Sequence, residues 1–405
     1  MKYDFDHPVS RAGTYSMKYE DPGYFLKRAP GIRLDDNTIR LHLADMDFPC
    51  APAITKAMHR VADFGTFGYT TADAAPEYRE SIISWYQRHF HIRLEPDWIL
   101  HCNGALDGIA QVVRAFSAPG DDIILCHPVY SNFTEVITRL GRKVTGCRLL
   151  CPSVGDYQMD WEKFRQVCSM PENKVFILCS PANPVGRVWT RAELARMAEI
   201  CRENSVVLVS DEIHSDIVRK GVRHWPVIEA AEDLSNIILV SGANKSFNLM
   251  GLHCAYCVIP DPELRSRFEK DFDAGMPSPF AIAAMVAAYK EGEEWLNQLN
   301  EYIDGSLTAA VERIREKLPK AGVYVPQGTY ILWVDFSGYG FTPEKLLRLV
   351  NLEANVAVQN GLAHDPEQGG QYLRLCLTSP KNLVLTAIER IAAVFDISGA
   401  QNLRR

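Results

Sequence analysis

A lysine at the ligand-facing end of a buried strand can form a Schiff base with a carbonyl. Lys245 is placed for this, because it follows the apolar run Ile237-Ile238-Leu239-Val240-Ser241 and the small residues Gly242-Ala243-Asn244. A single lysine after a strand is ordinarily a surface residue, but other polar side chains follow apolar runs in the same way. Lys174-Val175-Phe176-Ile177-Leu178-Cys179 leads to Ser180-Pro181-Ala182-Asn183-Pro184, and Ser205-Val206-Val207-Leu208-Val209-Ser210 leads to Asp211-Glu212-Ile213-His214. Ile123-Ile124-Leu125-Cys126 ends in His127-Pro128-Val129-Tyr130, and Trp98 to Cys102 runs into Asn103-Gly104-Ala105-Leu106 at the start of a helix. Taken singly, Asn183-Pro184 is a turn, Asp211 an N-cap, Tyr130 core filler and His214 a satisfied buried histidine.

Together they answer the needs of pyridoxal 5′-phosphate (PLP). Its phosphate takes backbone N–H groups at a helix start, which Gly104, Ala105 and Leu106 offer. Its ring takes a flat partner, Tyr130, and its ring nitrogen a carboxylate, Asp211, that keeps it protonated as an electron sink. Asn183 and His214 can donate to the phenolic oxygen, Ser241 is the nearest hydroxyl before the lysine, and Lys245 meets the aldehyde.

Such residues need a scaffold that gathers strand ends. The alternation of strand and helix from Trp98 onward predicts a doubly wound α/β fold, whose ligands sit outside the carboxyl ends of parallel strands. Before it, Ala53 to Asp63 and Glu77 to Phe90 read as helices flanking the glycine-spaced loop Gly65-Thr66-Phe67-Gly68-Tyr69-Thr70. Residues 1–45 are polar, broken at Pro22-Gly23, and read as an arm packing with a smaller domain. The large PLP-binding domain is expected over 46–284 and a small α+β domain over 285–405. In the latter, one helical stretch from Ile282 to Leu318 precedes a strand at Tyr330 to Asp335 and a helix near Pro343 to Asn351. A strand at Tyr372 to Leu377 follows, and helix and strand then run to a polar tail.

The chain has 405 residues, 47% hydrophobic and 23% charged, and a net charge of -7, which argues against nucleic acid as a partner. No apolar run reaches membrane-spanning length and the start lacks an apolar signal core, so the cytoplasm is the default location. Eleven cysteines in this length do not read as a disulfide scaffold. Cys254-Ala255-Tyr256-Cys257 has metal-ligand spacing, but on a strand its two thiols point to opposite faces, so no metal site is expected.

Several blocks also resemble the fold-type I PLP enzymes, and among them the cystathionine β-lyase-like branch known as the MalY/PatB C–S lyases. The similarity runs from Arg11-Ala12-Gly13-Thr14-Tyr15-Ser16-Met17-Lys18 through Ala44-Asp45-Met46-Asp47-Phe48 and Phe67-Gly68-Tyr69-Thr70. It continues through Asn183-Pro184-Val185-Gly186-Arg187, Asp211-Glu212-Ile213-His214-Ser215-Asp216, Lys245-Ser246-Phe247-Asn248-Leu249 and Gly328-Thr329-Tyr330. The resemblance implies that Lys245 carries the cofactor, Asp211 pairs with the pyridinium, and Asn183 and His214 lie by the phenolic oxygen. It further implies that Tyr130 stacks on the ring, Arg374 clamps the substrate carboxylate, and Tyr69 reaches the phosphate of the other subunit of a homodimer. Leu373, Leu375 and Leu377 share one strand face and leave Arg374 on the other, where the plain alternative is an exposed edge arginine. The chain departs from the family at Ser180 and Ala182, at Gly242-Ala243-Asn244, at Cys376 and at Asn360-Gly361-Leu362-Ala363-His364-Asp365.

The implied activity is α,β-elimination of L-cystathionine or a related S-substituted L-cysteine. An aminotransferase of an L-amino acid is the alternative, and a regulatory protein on the same scaffold is a third reading.

Overall fold

The structure, a computed structural model, describes residues 3–20, 23, 34–270, 272 and 276–402, with side chains to 397. Met1, Lys2 and Pro22 lie outside the described residues. The strands are β1 (Ile39–Arg40), β2 (Ile99–Cys102), β3 (Asp122–Leu125), β4 (Lys143–Gly146), β5 (Asn173–Cys179), β6 (Val207–Asp211), β7 (Ile237–Ser241) and β8 (Ala255–Val258), then β9 (Ile331–Asp335), β10 (Val356–Ala357), β11 (Gln359–Asn360) and β12 (Tyr372–Cys376). Seven of them form one sheet in the order β2-β8-β7-β6-β5-β3-β4, in which β8 runs antiparallel to both neighbours and the remaining pairs are parallel.

Near-continuous apolar strands such as Ile237–Ser241 arise because both faces of a parallel sheet are covered. Ile237 and Leu239 enter one core, while Ile238 and Val240 enter the other with Val209 and Ile177. Each fully buried side chain of this kind stabilises the fold by about 2 kcal/mol. The thiols of Cys254 and Cys257 fall in the two different cores, as strand alternation requires. The helices begin where capping chemistry allows. Thr190 and Glu193 form a reciprocal capping box for Arg191–Glu203, and Ser278 caps Pro279–Glu291.

The second unit carries the antiparallel sheet β11-β12-β9, and β1 pairs with β10, which ties the chain before residue 45 to this region. The expected single helical stretch from Ile282 to Leu318 is two helices, Pro279–Glu291 and Glu293–Lys317. They meet at Gly292, where a Cβ would lie 2.5 Å from both the Ala288 carbonyl oxygen and a ring carbon of Phe247. Pro279–Glu291 packs on the helices Pro52–Phe64 and Pro76–His89. The expected boundary at 284/285 falls within the helix Pro279–Glu291. Beyond β12 the expected helix and strand are a single helix, Lys381–Asn402. Among the described residues no helix is long and apolar enough to cross a membrane.

Candidate active site

A cavity of about 390 Å³ opens at the carboxyl ends of β5, β6 and β7. Of the residues singled out in the sequence, Gly104, Ala105, Leu106 and Tyr130 line it, with Asn183, Asp211 and His214. Lys245 and Arg374 complete the set, Arg374 coming from β12 of the other unit.

Gly104 precedes the helix Ala105–Phe116, whose first turn has no side-chain cap. No heavy atom lies within 4 Å of where a Gly104 Cβ would stand, and Gly104, Ala105 and Leu106 all border the cavity. Asp211 ends β6, is 4% exposed, and takes one hydrogen bond from the Ile213 N–H at 3.1 Å. Burial pushes its carboxyl up to about 7, against the pull of that N–H and of Lys245. His214 is buried beside Tyr330, and its Nδ1 has no hydrogen-bond partner among the described residues. Withdrawal from water outweighs the nearby carboxylates at Lys245 and lowers its amine to about 8. Lys245 Nζ donates to the carbonyl oxygen of Ala44 at 2.9 Å.

These observations fit PLP. A buried carboxyl short of a cation, an imidazole nitrogen without a partner among the described residues, an amine close to its neutral form and an uncapped helix start border one cavity. They answer, in turn, the ring nitrogen, the phenolic oxygen, the aldehyde and the phosphate.

Arg374 is 2% exposed and sits on the central strand of its sheet, which removes the exposed-edge alternative. Its Nε donates to Asn183 Oδ1 at 3.0 Å and its Nη1 to Gln359 Oε1 at 2.7 Å. Asn183 is thereby engaged with the guanidinium as well as facing the cavity.

Two expected residues stand elsewhere. Ser241 does not line the cavity: it is the last residue of β7, and its Oγ donates to the carbonyl oxygen of Glu212 at 3.2 Å. Its hydroxyl thus joins the ends of neighbouring strands. Tyr69 is 96% exposed on the loop between two helices and lies outside the cavity of the single chain. The departure at Gly242 has a steric reason, since a Cβ there would lie 2.9 Å from the Cys254 carbonyl oxygen and 3.0 Å from Ala255 Cα.

Sequence reasoning also missed part of the lining. Asn103, Asp107, Asn244 and His253 border the cavity, as does Ala44 through its carbonyl. Asn103 and Asp107 flank the singled-out Gly104-Ala105-Leu106 run, whereas a backbone acceptor such as Ala44 leaves no mark of residue type. The Ala44–Phe48 strap is held from three sides. Lys18, fully buried, pairs with Asp47 at 2.8 Å, Arg11 pairs with Asp45 at 3.0 Å, and Ser379 donates to Asp47 at 2.6 Å. Asn248, three residues past the lysine, bonds Met46 and Phe48 through its side-chain amide.

Comparison with known proteins places this architecture. The model of the family described as aminotransferase class I and II matches residues 36–391. The chain belongs to that family. It is 33% identical to cystathionine β-lyase PatB of Bacillus subtilis over 377 residues, covering 92% of this chain and 94% of the relative. It is 28% identical to protein MalY of Escherichia coli, with 94% and 95% of the two chains covered. Among solved structures, cystalysin of Treponema denticola, which contains pyridoxal 5′-phosphate, superposes with a TM-score of 0.91 at 27% identity over 98% of this chain and 99% of that one. The PLP-bound C–S lyase of Staphylococcus hominis with L-cycloserine gives the same score and identity over 98% of each chain. The fold is that of the fold-type I PLP enzymes.

Proposed function

We propose that this chain is a PLP-dependent C–S β-lyase that converts L-cystathionine or a related S-substituted L-cysteine, with water, into a thiol, pyruvate and ammonia. The observation that carries this is the convergence of Lys245, Asp211 and Arg374 on one cavity. PLP supplies a ring able to withdraw electrons from the substrate's α-carbon. Lys245 would hold the cofactor at Nζ, Asp211 would oppose its ring nitrogen, and Asn183 and His214 would flank its phenolic oxygen. Gly104, Ala105 and Leu106 would hold its phosphate through backbone N–H groups.

Arg374 binds the substrate carboxylate and fixes the α-carbon. Lys245 Nζ, as a neutral amine, takes the α-proton, and an amine lowered to about 8 is available for that near neutral pH. The same Nζ, now protonated, gives a proton to the departing sulfur. Asp211 stays anionic opposite a cationic ring nitrogen, which offsets the burial that otherwise pushes it up to about 7.

We also read the chain as a homodimer in which Tyr69 reaches the phosphate of the other subunit. Support comes from the exposure of Phe64 (81%) at the end of the helix Pro52–Phe64 and of Phe67 (60%) and Tyr69 (96%) on the loop that follows. The residues 1–45 arm and the C-terminal unit would form the small domain.

The test adds L-cystathionine to the PLP-loaded protein and follows pyruvate without any 2-oxo acid acceptor. Pyruvate release supports the lyase. The family description favours one second reading, an aminotransferase, in which Lys245 returns the proton to the cofactor carbon. No pyruvate, and consumption of a 2-oxo acid once one is added, would replace the first reading with that one.

A further inference from the structure

At the substrate end of the cavity, hydrogen-bond donors and acceptors do not match. Gln359 is the register partner of Arg374 across β11 and β12. Its Oε1 accepts from Arg374 Nη1 at 2.7 Å and also lies 3.2 Å from His364 Nε2. The other ring nitrogen, Nδ1, lies 3.0 Å from the carbonyl oxygen of Val129. A carbonyl only accepts, so Nδ1 carries a proton. Burial first, and then the charges of Arg374 and His127, push His364 down to about 3, so near neutral pH the ring is uncharged and holds a single proton. Nε2 is then a lone pair facing an oxygen.

Turning the Gln359 amide over would mend this contact, because its NH2 would donate to His364 Nε2. The same turn would set that NH2 against Arg374 Nη1. One amide cannot serve both neighbours while Arg374 Nη1 has no other acceptor among the described residues. His364 cannot adjust instead. It is 1% exposed, its carbonyl oxygen accepts from the Val129 N–H at 3.0 Å, and the ring packs edge-on against Trp333. Asn183 meanwhile holds Arg374 at Nε, so the guanidinium stays in place whichever way Gln359 points.

We propose that Gln359 is a substrate-positioning residue that turns over when a carboxylate reaches Arg374. Its carbonyl leaves Nη1 to the ligand, and its NH2 moves onto His364 Nε2. The proposal rests on reading Arg374 as the carboxylate clamp. It adds that His364 repays part of the cost of displacing Gln359, which raises selectivity for an α-carboxylate over a neutral group. Gln359 and His364 touch neither the reacting atoms nor the cofactor, so their effect belongs in KM and not in kcat.

The test uses PLP-loaded protein labelled with 15N-histidine and titrated with 2-aminoisobutyrate, which has a carboxylate but no α-proton and no leaving group. Its carboxamide is the control. The His364 resonances are identified by their loss in His364→Gln. We expect Nε2 without a proton throughout, moving into the range of a hydrogen-bond acceptor with 2-aminoisobutyrate and not with the carboxamide. An Nε2 that carries a proton in the ligand-free protein, or does not respond to the carboxylate, overturns the proposal.

Kinetics give the second readout, through the ratio of KM for an S-substituted L-cysteine to KM for its carboxamide. His364→Phe removes the waiting acceptor, and His364→Gln can donate to the Gln359 carbonyl and hold it on Arg374. Each should cut the preference for the carboxylate by roughly five- to tenfold, about one neutral hydrogen bond, with kcat little changed. Arg374→Leu should abolish the preference. If Arg374→Leu leaves it intact, the clamp reading itself fails. If Arg374→Leu abolishes it while both His364 variants match the wild type, only the turning of Gln359 is refuted.

Discussion

At the floor of the cavity, Asp211, His214 and the helix start at Gly104 present polar groups that lack full partners, whereas at its far wall Arg374, Asn183 and Gln359 are bonded to one another. The floor is built from strand ends of one mixed sheet. The wall brings together segments far apart in the chain, with Asn183 and Arg374 separated by 191 positions. A partly unsatisfied floor costs stability until a ligand arrives, so it reads as a place for a resident cofactor. A self-satisfied wall can exchange partners, so it suits a substrate that comes and goes. Mutations should therefore act differently at the two ends.

The largest effect belongs to the floor. Lys245→Ala removes both the cofactor's attachment and the base, and pyruvate release should fall by at least about 10³-fold. The visible absorbance of the PLP-loaded protein should change at the same time. Retention of most activity would show that the base lies elsewhere and break the division between the two ends.

Asp211→Asn tests the claim that the floor is costly without cofactor. The Asp211 carboxyl is raised in the fold from an ordinary 3.8 to about 7. The folded state then holds its proton more tightly than the unfolded state does, so this group contributes stability at low pH that is lost as pH rises from about 4 to about 7. At about 1.4 kcal/mol per pH unit the loss is at most about 4 kcal/mol. Cofactor-free Asp211→Asn should thus be more stable than the cofactor-free wild type at pH 8 and nearly equal to it at pH 4. Urea denaturation at both pH values measures this, and equal differences at the two would remove the electrostatic explanation. In PLP-loaded protein the gain should shrink, because a cationic ring nitrogen holds the carboxylate down.

At the wall, Arg374→Leu should raise KM by about 10²-fold, the scale for truncating one partner of a buried charged pair, with a smaller loss in kcat. A loss confined to kcat would move Arg374 from substrate binding to the chemical step.

The floor was the part legible in the sequence. Apolar runs ending in Asp211 and Lys245 announce strands and strand ends, and the parallel pairing of β6 and β7 brings those ends to one cavity. Ser241 lies outside the cavity for a reason internal to that logic. It is close to Lys245 along the chain, but its hydroxyl is spent on the Glu212 carbonyl of the adjoining strand. The wall was legible only in Asn183 and in the motif around Arg374. Its burial depends on β11, two residues long and too short to leave a periodic signal, and on a long-range partner in Gln359. The Ala44 carbonyl had no signal at all, and Gly242 made sense only once the backbone of Cys254 and Ala255 was seen against it.

The smallest effect concerns a residue at neither end. Tyr69 stands 96% exposed in the single chain, so its hydroxyl contributes little to that chain's fold, and Tyr69→Phe should change stability by less than about 0.5 kcal/mol. If the floor is completed by a second subunit, the same hydroxyl donates to the phosphate there, and its loss should weaken PLP binding by roughly fivefold, about one hydrogen bond. Equilibrium titration of cofactor-free protein with PLP, alongside sedimentation to establish the dimer, separates the two. An unchanged affinity in a proven dimer would mean that one chain supplies the whole phosphate site, through the N–H groups that follow Gly104. A fivefold loss with unaltered stability would extend the floor's unfinished character across the subunit boundary, leaving the wall as the part each chain completes by itself.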